Sequence, residues 1–289
     1  MRISEHIHAL DRDGERMAAA ANAAGFDAKV PSAPGWRVRD LLAHTGRVHR
    51  WATSYLRTGN PSPAEIEGDG LPAEPDDTLL GWFRYGHAAL VDALDGADPG
   101  MSCWTLWPTA PPAPSPLAFW ARRQAHETAV HRVDAELALA AARRAGMDGA
   151  EGVEPAGEPA VPPGLGADGI DELLAGFYAQ RHRGLVAPRP VALAVRCADT
   201  DDGWTIRIGP DTREVNRHPT GTAALSTTGT AAAAGTDANA DADANADCTI
   251  RGAASDLYLF LWNRQGADRI DVVGDRSVLD LWRDRARIT

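Results

Sequence analysis

The run Arg122-Arg123-Gln124-Ala125-His126-Glu127-Thr128-Ala129-Val130-His131-Arg132-Val133-Asp134-Ala135-Glu136 carries two metal-binding side-chain types four residues apart. On a helix, Glu127 and His131 project from one face, about 40° apart around the axis, so both can reach one ion. His126 lies about 140° from His131 and is expected to point elsewhere. The spacing is not the H-E-x-x-H of zincins, in which two histidines bind the metal and the glutamate is the base; in H-E-x-x-x-H the glutamate is itself a ligand. A third ligand must come from another helix. His44 and His49 are again about 140° apart, so one of them faces the interior. Leu41, three residues before His44, marks that face as inward, whereas His49, flanked by Arg47 and Arg50, is expected at the surface. One histidine plus a Glu-x-x-x-His pair gives three nitrogen and oxygen ligands, the count of a catalytic zinc site with its fourth position open. The same spacing also suits a plain i, i+4 ion pair of roughly 0.2–0.5 kcal/mol, and spacing alone leaves both readings open.

These residues need helices to hold them. Apolar residues at mixed three and four spacings predict helices over 3–24 (Ile3, Ile7, Leu10, Met17), 36–57 (Trp36, Val38, Leu41, Leu42, Val48, Trp51) and 77–94 (Leu79, Leu80, Phe83, Leu90, Val91). A fourth follows the proline-rich stretch 108–116 and runs from Leu117 to Arg144, stopping at Gly146. Four such stripes imply an antiparallel four-helix bundle over residues 1–145. Residues 146–168, rich in Gly, Pro, Ala and acids, read as a linker. Residues 169–289 read as a smaller α+β domain, with helices at 170–179, 255–263 and 277–285 and strands at 191–196, 203–208 and 248–251. Within it, 219–247 is almost all Ala, Thr, Gly, Asp and Asn and is expected to be a disordered insertion. Its Asp237, Asp241 and Asp243 lack the glycine and closing glutamate of an EF-hand loop, which weighs against calcium.

The 289 residues suit two domains, and 44% apolar with 24% charged residues is an ordinary globular balance. No stretch is long and apolar enough for a membrane span, and the N-terminus lacks a signal peptide's apolar core, so the expected location is the cytoplasm. A net charge of −11 weighs against nucleic acid. Three scattered cysteines, Cys103, Cys197 and Cys248, do not make a disulfide framework. Arginine outnumbers lysine 28 to one, with Lys29 the single lysine, a skew that reflects a GC-rich genome rather than a functional demand.

The Trp36–Trp51 segment with His44, and Trp120–Glu136 with its His-Glu-Thr-Ala-Val-His-Arg-Val-Asp-Ala-Glu run, resemble the mycothiol-dependent maleylpyruvate isomerase family. Leu259–Arg264, Val273-Gly274-Asp275 and Leu281-Trp282 are similar to that family's C-terminal domain. The resemblance implies a DinB-like N-terminal four-helix bundle, a sterol-carrier-like α+β C-terminal domain, and His44, Glu127 and His131 as ligands of zinc or another divalent metal. It further implies mycothiol, the small thiol of actinobacteria, as cosubstrate. A zinc-bound thiol loses its proton outright; in the family's isomerases the thiolate adds to a cis double bond, the bond rotates, and elimination leaves the trans product. Related bundles transfer the sulfur instead, so isomerase and S-transferase both stand.

A dicarboxylate substrate would need an anion binder. Arg123 and Arg132 flank the ligand pair, and Arg251 and Arg264 are candidates from the second domain; for each, a surface charge or ion pair is the plainer reading. Trp104, Trp107 and Trp120 are candidates for walling the cleft, with Trp107 and Trp120 placed against the thiol cosubstrate and core packing as the alternative. Asp134 is a candidate for orienting His131, His87 is the reserve ligand, and Cys103 reads better as a small hydrophobe than as a thiol ligand. The partners expected are a small electrophile and mycothiol, with no nucleic acid or membrane, on a monomer or homodimer. Two other classes compete: a zinc-binding regulatory protein, disfavoured because no fourth ligand closes the site, and a hydrolase using zinc-bound water, disfavoured because Glu127 as ligand leaves no base beside it.

Overall fold

Helix α1 (Ile3–Ala24) starts where Glu5 accepts the Arg2 backbone N–H at 2.6 Å, tying down one of the N–H groups a helix start leaves unpaired, and it buries Leu10, Met17 and Ala21. Helix α2 (Val38–Thr58) starts in the same way, with Asp40 accepting the Arg37 N–H at 2.8 Å, and ends on Gly59 in the left-handed conformation. Helices α3 (Asp76–Asp95) and α4 (Pro116–Gly146) complete a bundle close to the expected bounds. The computed structural model describes residues 1–68, 75–106, 114–146, 159–179, 184–218 and 246–286. It divides into two units, Met1–Pro159 and Ala160–Thr289.

Around the first unit each helix has two principal neighbours: α1 lies beside α4 and α3, and α2 lies beside α3 and α4. The helix directions depart from the expected all-antiparallel order. Contacts His6–His126, Asp13–Arg132 and Arg16–Glu136 advance together, so α1 and α4 run parallel. Arg39–Asp76 and His49–His87 show the same for α2 and α3. His44–His131 and Trp51–Trp120 run in opposite senses, so α2 and α4 are antiparallel. The sequence separation between Thr58, where α2 ends, and Asp76, where α3 begins, is large enough to permit two successive parallel helices, which a short hairpin connection would not.

The second unit opens with α5 (Pro163–Asp171), which continues through one π-helical stretch to Tyr178. This helix begins inside the stretch expected to be linker. Pro163 sits in its first turn, where its missing N–H costs nothing, and Leu165, Ala167 and Ile170 are buried. A five-stranded sheet follows: β1 (Val191–Cys197), β2 (Gly203–Ile208), β3 (Arg213–His218), β4 (Cys248–Gly252) and β5 (Asp271–Gly274), in the order β3-β2-β1-β4-β5. Among the described strands only β1 and β4 pair in parallel, with Leu193 opposite Cys248. Helices α6 (Ala254–Leu261) and α7 (Ser277–Arg285) match expectation, whereas β3 and β5 were not foreseen. Both are edge strands, where half the backbone needs no partner and charged side chains are tolerated, so their sequences carry little apolar alternation.

Most of 146–168 (147–158), the calcium alternative in 219–247, Trp107 and His182 lie outside the described residues. Cys103, Cys197 and Cys248 are free thiols, and burial pushes Cys197 up to about 12. Among the described residues no helix is long and apolar enough to cross a membrane.

Candidate metal centre

Helices α2 and α4 face each other along a stripe in which Trp51 and Tyr55 of α2 pack on Trp120 of α4, and His44 of α2 meets Glu127 and His131 of α4. At the middle of this stripe His44 Nε2 lies 3.3 Å, and His131 Nε2 3.1 Å, from the same oxygen, Glu127 Oε1. One donor atom from each of the three residues falls within 4.8 Å of the others. Ligands about 2.0–2.1 Å from a tetrahedral ion stand about 3.3 Å from one another, a spacing these two contacts match, and one that plain hydrogen bonds also have. The side chains are 30%, 20% and 12% exposed for His44, Glu127 and His131, so the cluster is shielded yet reachable.

The surroundings fix these groups from behind. Arg123 is buried and donates to the second oxygen, Glu127 Oε2, at 2.7 Å. Asp134, fully buried, accepts a hydrogen bond from His131 Nδ1 at 2.9 Å and another from Ser32 Oγ at 2.5 Å. His131 therefore meets a carboxylate at each ring nitrogen. Burial works against its charge, but the hydrogen bonds to Asp134 and Glu127 prevail and raise its pKa to about 9. Burial likewise pushes Glu127 up, and the hydrogen bonds from His131 and His44 and the Arg123 charge overcome it, holding the carboxyl well below its usual range. A proton on His131 occupies ground that favours a cation. With the Nδ1 proton donated to Asp134, the Nε2 lone pair is the one left for a metal.

Other expected residues fall elsewhere. His49 is fully buried, not at the surface: its Nε2 meets Thr128 Oγ1 at 2.9 Å and its ring packs on Phe83 and His87. Helix α2 has two neighbours and hence two buried faces, and Arg50, taken as a sign of exposure, folds over Trp82 at 3.7 Å from its ring centroid. His87, the reserve ligand, lies against Asp11 O and Gly14 and is not among the clustered donors. Arg132 is buried on the α1 side of α4, bonded to Glu136 at 2.7 Å and 3.8 Å from Asp13. Trp120 is fully buried, stacked on Tyr55 with centroids 5.2 Å apart, and donates its Nε1–H to Trp104 O. Cys103 is partly buried, and burial raises its pKa. Arg251 lies on β4, paired in register with Asp271, and Arg264 follows α6, donating to Trp262 O. His126 points away from the triad, its ring edge-on to His6.

Two residues that sequence reasoning missed complete the surroundings, Ser32 and Trp36. Trp36 was expected to open a helix; it precedes α2, and its indole lies 5.0 Å from the His44 ring and 6.3 Å from that of His131, nearly parallel to the latter. Both lie in the α1–α2 loop, whose position comes from tertiary packing and leaves no periodic signal.

Two family models divide most of the chain between them. The mycothiol maleylpyruvate isomerase N-terminal domain matches residues 7–136, and the MDMPI C-terminal domain matches residues 165–281. The chain belongs to the mycothiol maleylpyruvate isomerase family. All three ligand candidates lie inside the first match. Among solved structures, the mycothiol-dependent maleylpyruvate isomerase aligns with a TM-score of 0.51 at 13% identity, over 94% of this chain and 93% of that one. A histidine-to-alanine variant of it aligns with a TM-score of 0.54 at 14% identity, over the same shares. At this identity the likeness establishes the shared fold, a helical bundle followed by an α+β domain. A search of curated proteins finds no match.

Proposed function

We propose that this chain is a mycothiol-dependent cis–trans isomerase acting on a maleylpyruvate-like acid, with His44, Glu127 and His131 holding a divalent ion, zinc by its donor set. The observation that carries the reading is the meeting of two imidazole nitrogens from different helices on one carboxylate oxygen at tetrahedral spacing. Two nitrogens and one oxygen are the donors of open, catalytic zinc sites rather than of closed structural ones. When bound there, the ion would supply a thiolate at neutral pH from a coordinated thiol.

The chain's own residues do the rest. Asp134 holds the Nδ1 proton of His131, so the proton given up on coordination would be the one on Nε2, which faces Glu127. Arg123 fixes Glu127 Oε2, which leaves Oε1 as the oxygen shared with both histidines. Trp36 covers one side of both imidazoles and limits water there. Family membership supports the thiol cosubstrate, and the activity of the structurally similar maleylpyruvate isomerase supports the isomerisation.

The test is turnover. Metal-stripped protein should be inert towards maleylpyruvate, recover with Zn²⁺ and mycothiol together, and stay inert in the His44→Ala and His131→Ala forms. A stable thioether product would instead identify an S-transferase, and thiol-independent hydrolysis would overturn the reading.

A further inference from the structure

The loop between α1 and α2 touches both histidines of the centre by different means. Ser32 Oγ donates to Asp134, which in turn accepts from His131 Nδ1. Four residues later Trp36 lays its indole against His44 and His131. The asymmetry between the two histidines matters. His131 is oriented by a buried carboxylate, whereas His44 makes one hydrogen bond among the described residues, to Glu127, and its other ring contacts are Trp36 and His131. A metal-ligating histidine ordinarily has its second ring nitrogen held by a hydrogen-bonding partner. At His44 the described residues supply no such hydrogen-bonding partner, and the neighbour that restrains the ring on that side of the centre is the Trp36 indole, 5.0 Å away.

The loop is built to hold the ring still. Val30 N–H bonds to Trp36 O at 3.0 Å, Trp36 N–H bonds to Ala33 O at 3.0 Å, and Lys29 bridges to Arg37. Gly35 supplies the positive φ of 94° that the turn before Trp36 requires. Behind it, Trp36 packs on the bundle core.

We infer that the α1–α2 loop is a two-point clamp for the metal centre, with Trp36 positioning His44 and Ser32 positioning His131 through Asp134. The inference rests on the metal-centre reading proposed above, but the clamp is measurable without an ion. In metal-free protein, Trp36→Ala removes the ring-current shift from the His44 imidazole protons and broadens them, Ser32→Ala moves the His131 ring nitrogens, and Trp36→Phe keeps the His44 signals near the parent positions. Zinc binding, followed by chelator competition, weakens about tenfold in Trp36→Ala, by less in Ser32→Ala, and recovers in Trp36→Phe. Circular dichroism verifies that each variant is folded. Unmoved His44 signals in Trp36→Ala, or zinc held by both variants as tightly as by the parent, overturn the clamp. If the parent holds no zinc while the imidazole signals move as described, the metal reading fails and the positioning role stands.

Discussion

Replacing Asp134 by Asn removes a buried negative charge while keeping shape, and it acts on metal affinity through two opposed terms. The amide offers one acceptor in place of a carboxylate. If its NH₂ turns to His131 Nδ1, the imidazole must carry its proton on Nε2, the atom 3.1 Å from Glu127 that would bind the ion. Losing such a partner typically costs 10–100-fold in affinity, about 1.4–2.7 kcal/mol. Against this, the parent His131 titrates at about 9, so at pH 7 an ion must displace a proton held by roughly two pH units, a handicap of about 2.7 kcal/mol at 1.36 per unit. Without Asp134 the His131 pKa falls and that handicap shrinks. The affinity gap between parent and variant is therefore widest above pH 8.5 and narrows towards neutrality. The parent's log affinity rises by about one per pH unit between 7 and 8.5, and the variant's rises less. Competition with a chromogenic chelator across this range measures both slopes. Equal affinities with equal slopes would refute the argument that Asp134 sets the His131 tautomer.

Other consequences follow from the bundle itself. Burial holds both His49 and His87 below the usual histidine range, with the charge of His87 adding to the effect at His49. Groups with a lowered folded pKa favour the neutral form, so their stability contribution is full above about pH 6.5 and is lost as pH falls below it. The melting temperature should drop from pH 7 to pH 5, and His87→Gln should flatten that drop; an unchanged profile would contradict it. Asp13 is fully buried between Arg12, at 3.0 Å, and Arg132. Asp13→Ala removes a buried carboxylate from beside Arg132 and should destabilise by about 3 kcal/mol in urea unfolding; a loss under 1 kcal/mol would show the network to be dispensable. A methyl group at Gly14 would lie 2.2 Å from the His87 ring. Gly14→Ala should therefore lower stability by about 1–3 kcal/mol despite alanine's better helix propensity, and a rise in melting temperature would count against the packing described.

The sequence made α1 to α4 legible because each buries a stripe, and it made His44, Glu127 and His131 legible because helical spacing and Leu41 fix their faces. It hid what depends on neighbours. His49 looked exposed because a single-stripe view of α2 ignores its contact with both α3 and α4. The buried polar set of α4, including Arg123, His126, Arg132 and Asp134, breaks the apolar pattern because the helix is surrounded on several sides and its polar groups are paired inside. Edge strands β3 and β5 lacked apolar alternation. Parallel pairing of α1 with α4 follows from connection lengths, which restrict directions without selecting one. Ser32 and Trp36 stand in a loop, where no period links a residue to the distant helix it serves.

An ion held by His44, Glu127 and His131 would keep one corner available to sulfur. Co²⁺ substitution reads that corner directly, because a coordinated thiolate adds an intense near-ultraviolet charge-transfer band to the weak visible bands of the tetrahedral ion. Titrating mycothiol into the Co²⁺ protein should bring this band up to one equivalent, and His44→Ala should abolish it. Cobalt bound at one equivalent with spectra indifferent to mycothiol would contradict the account.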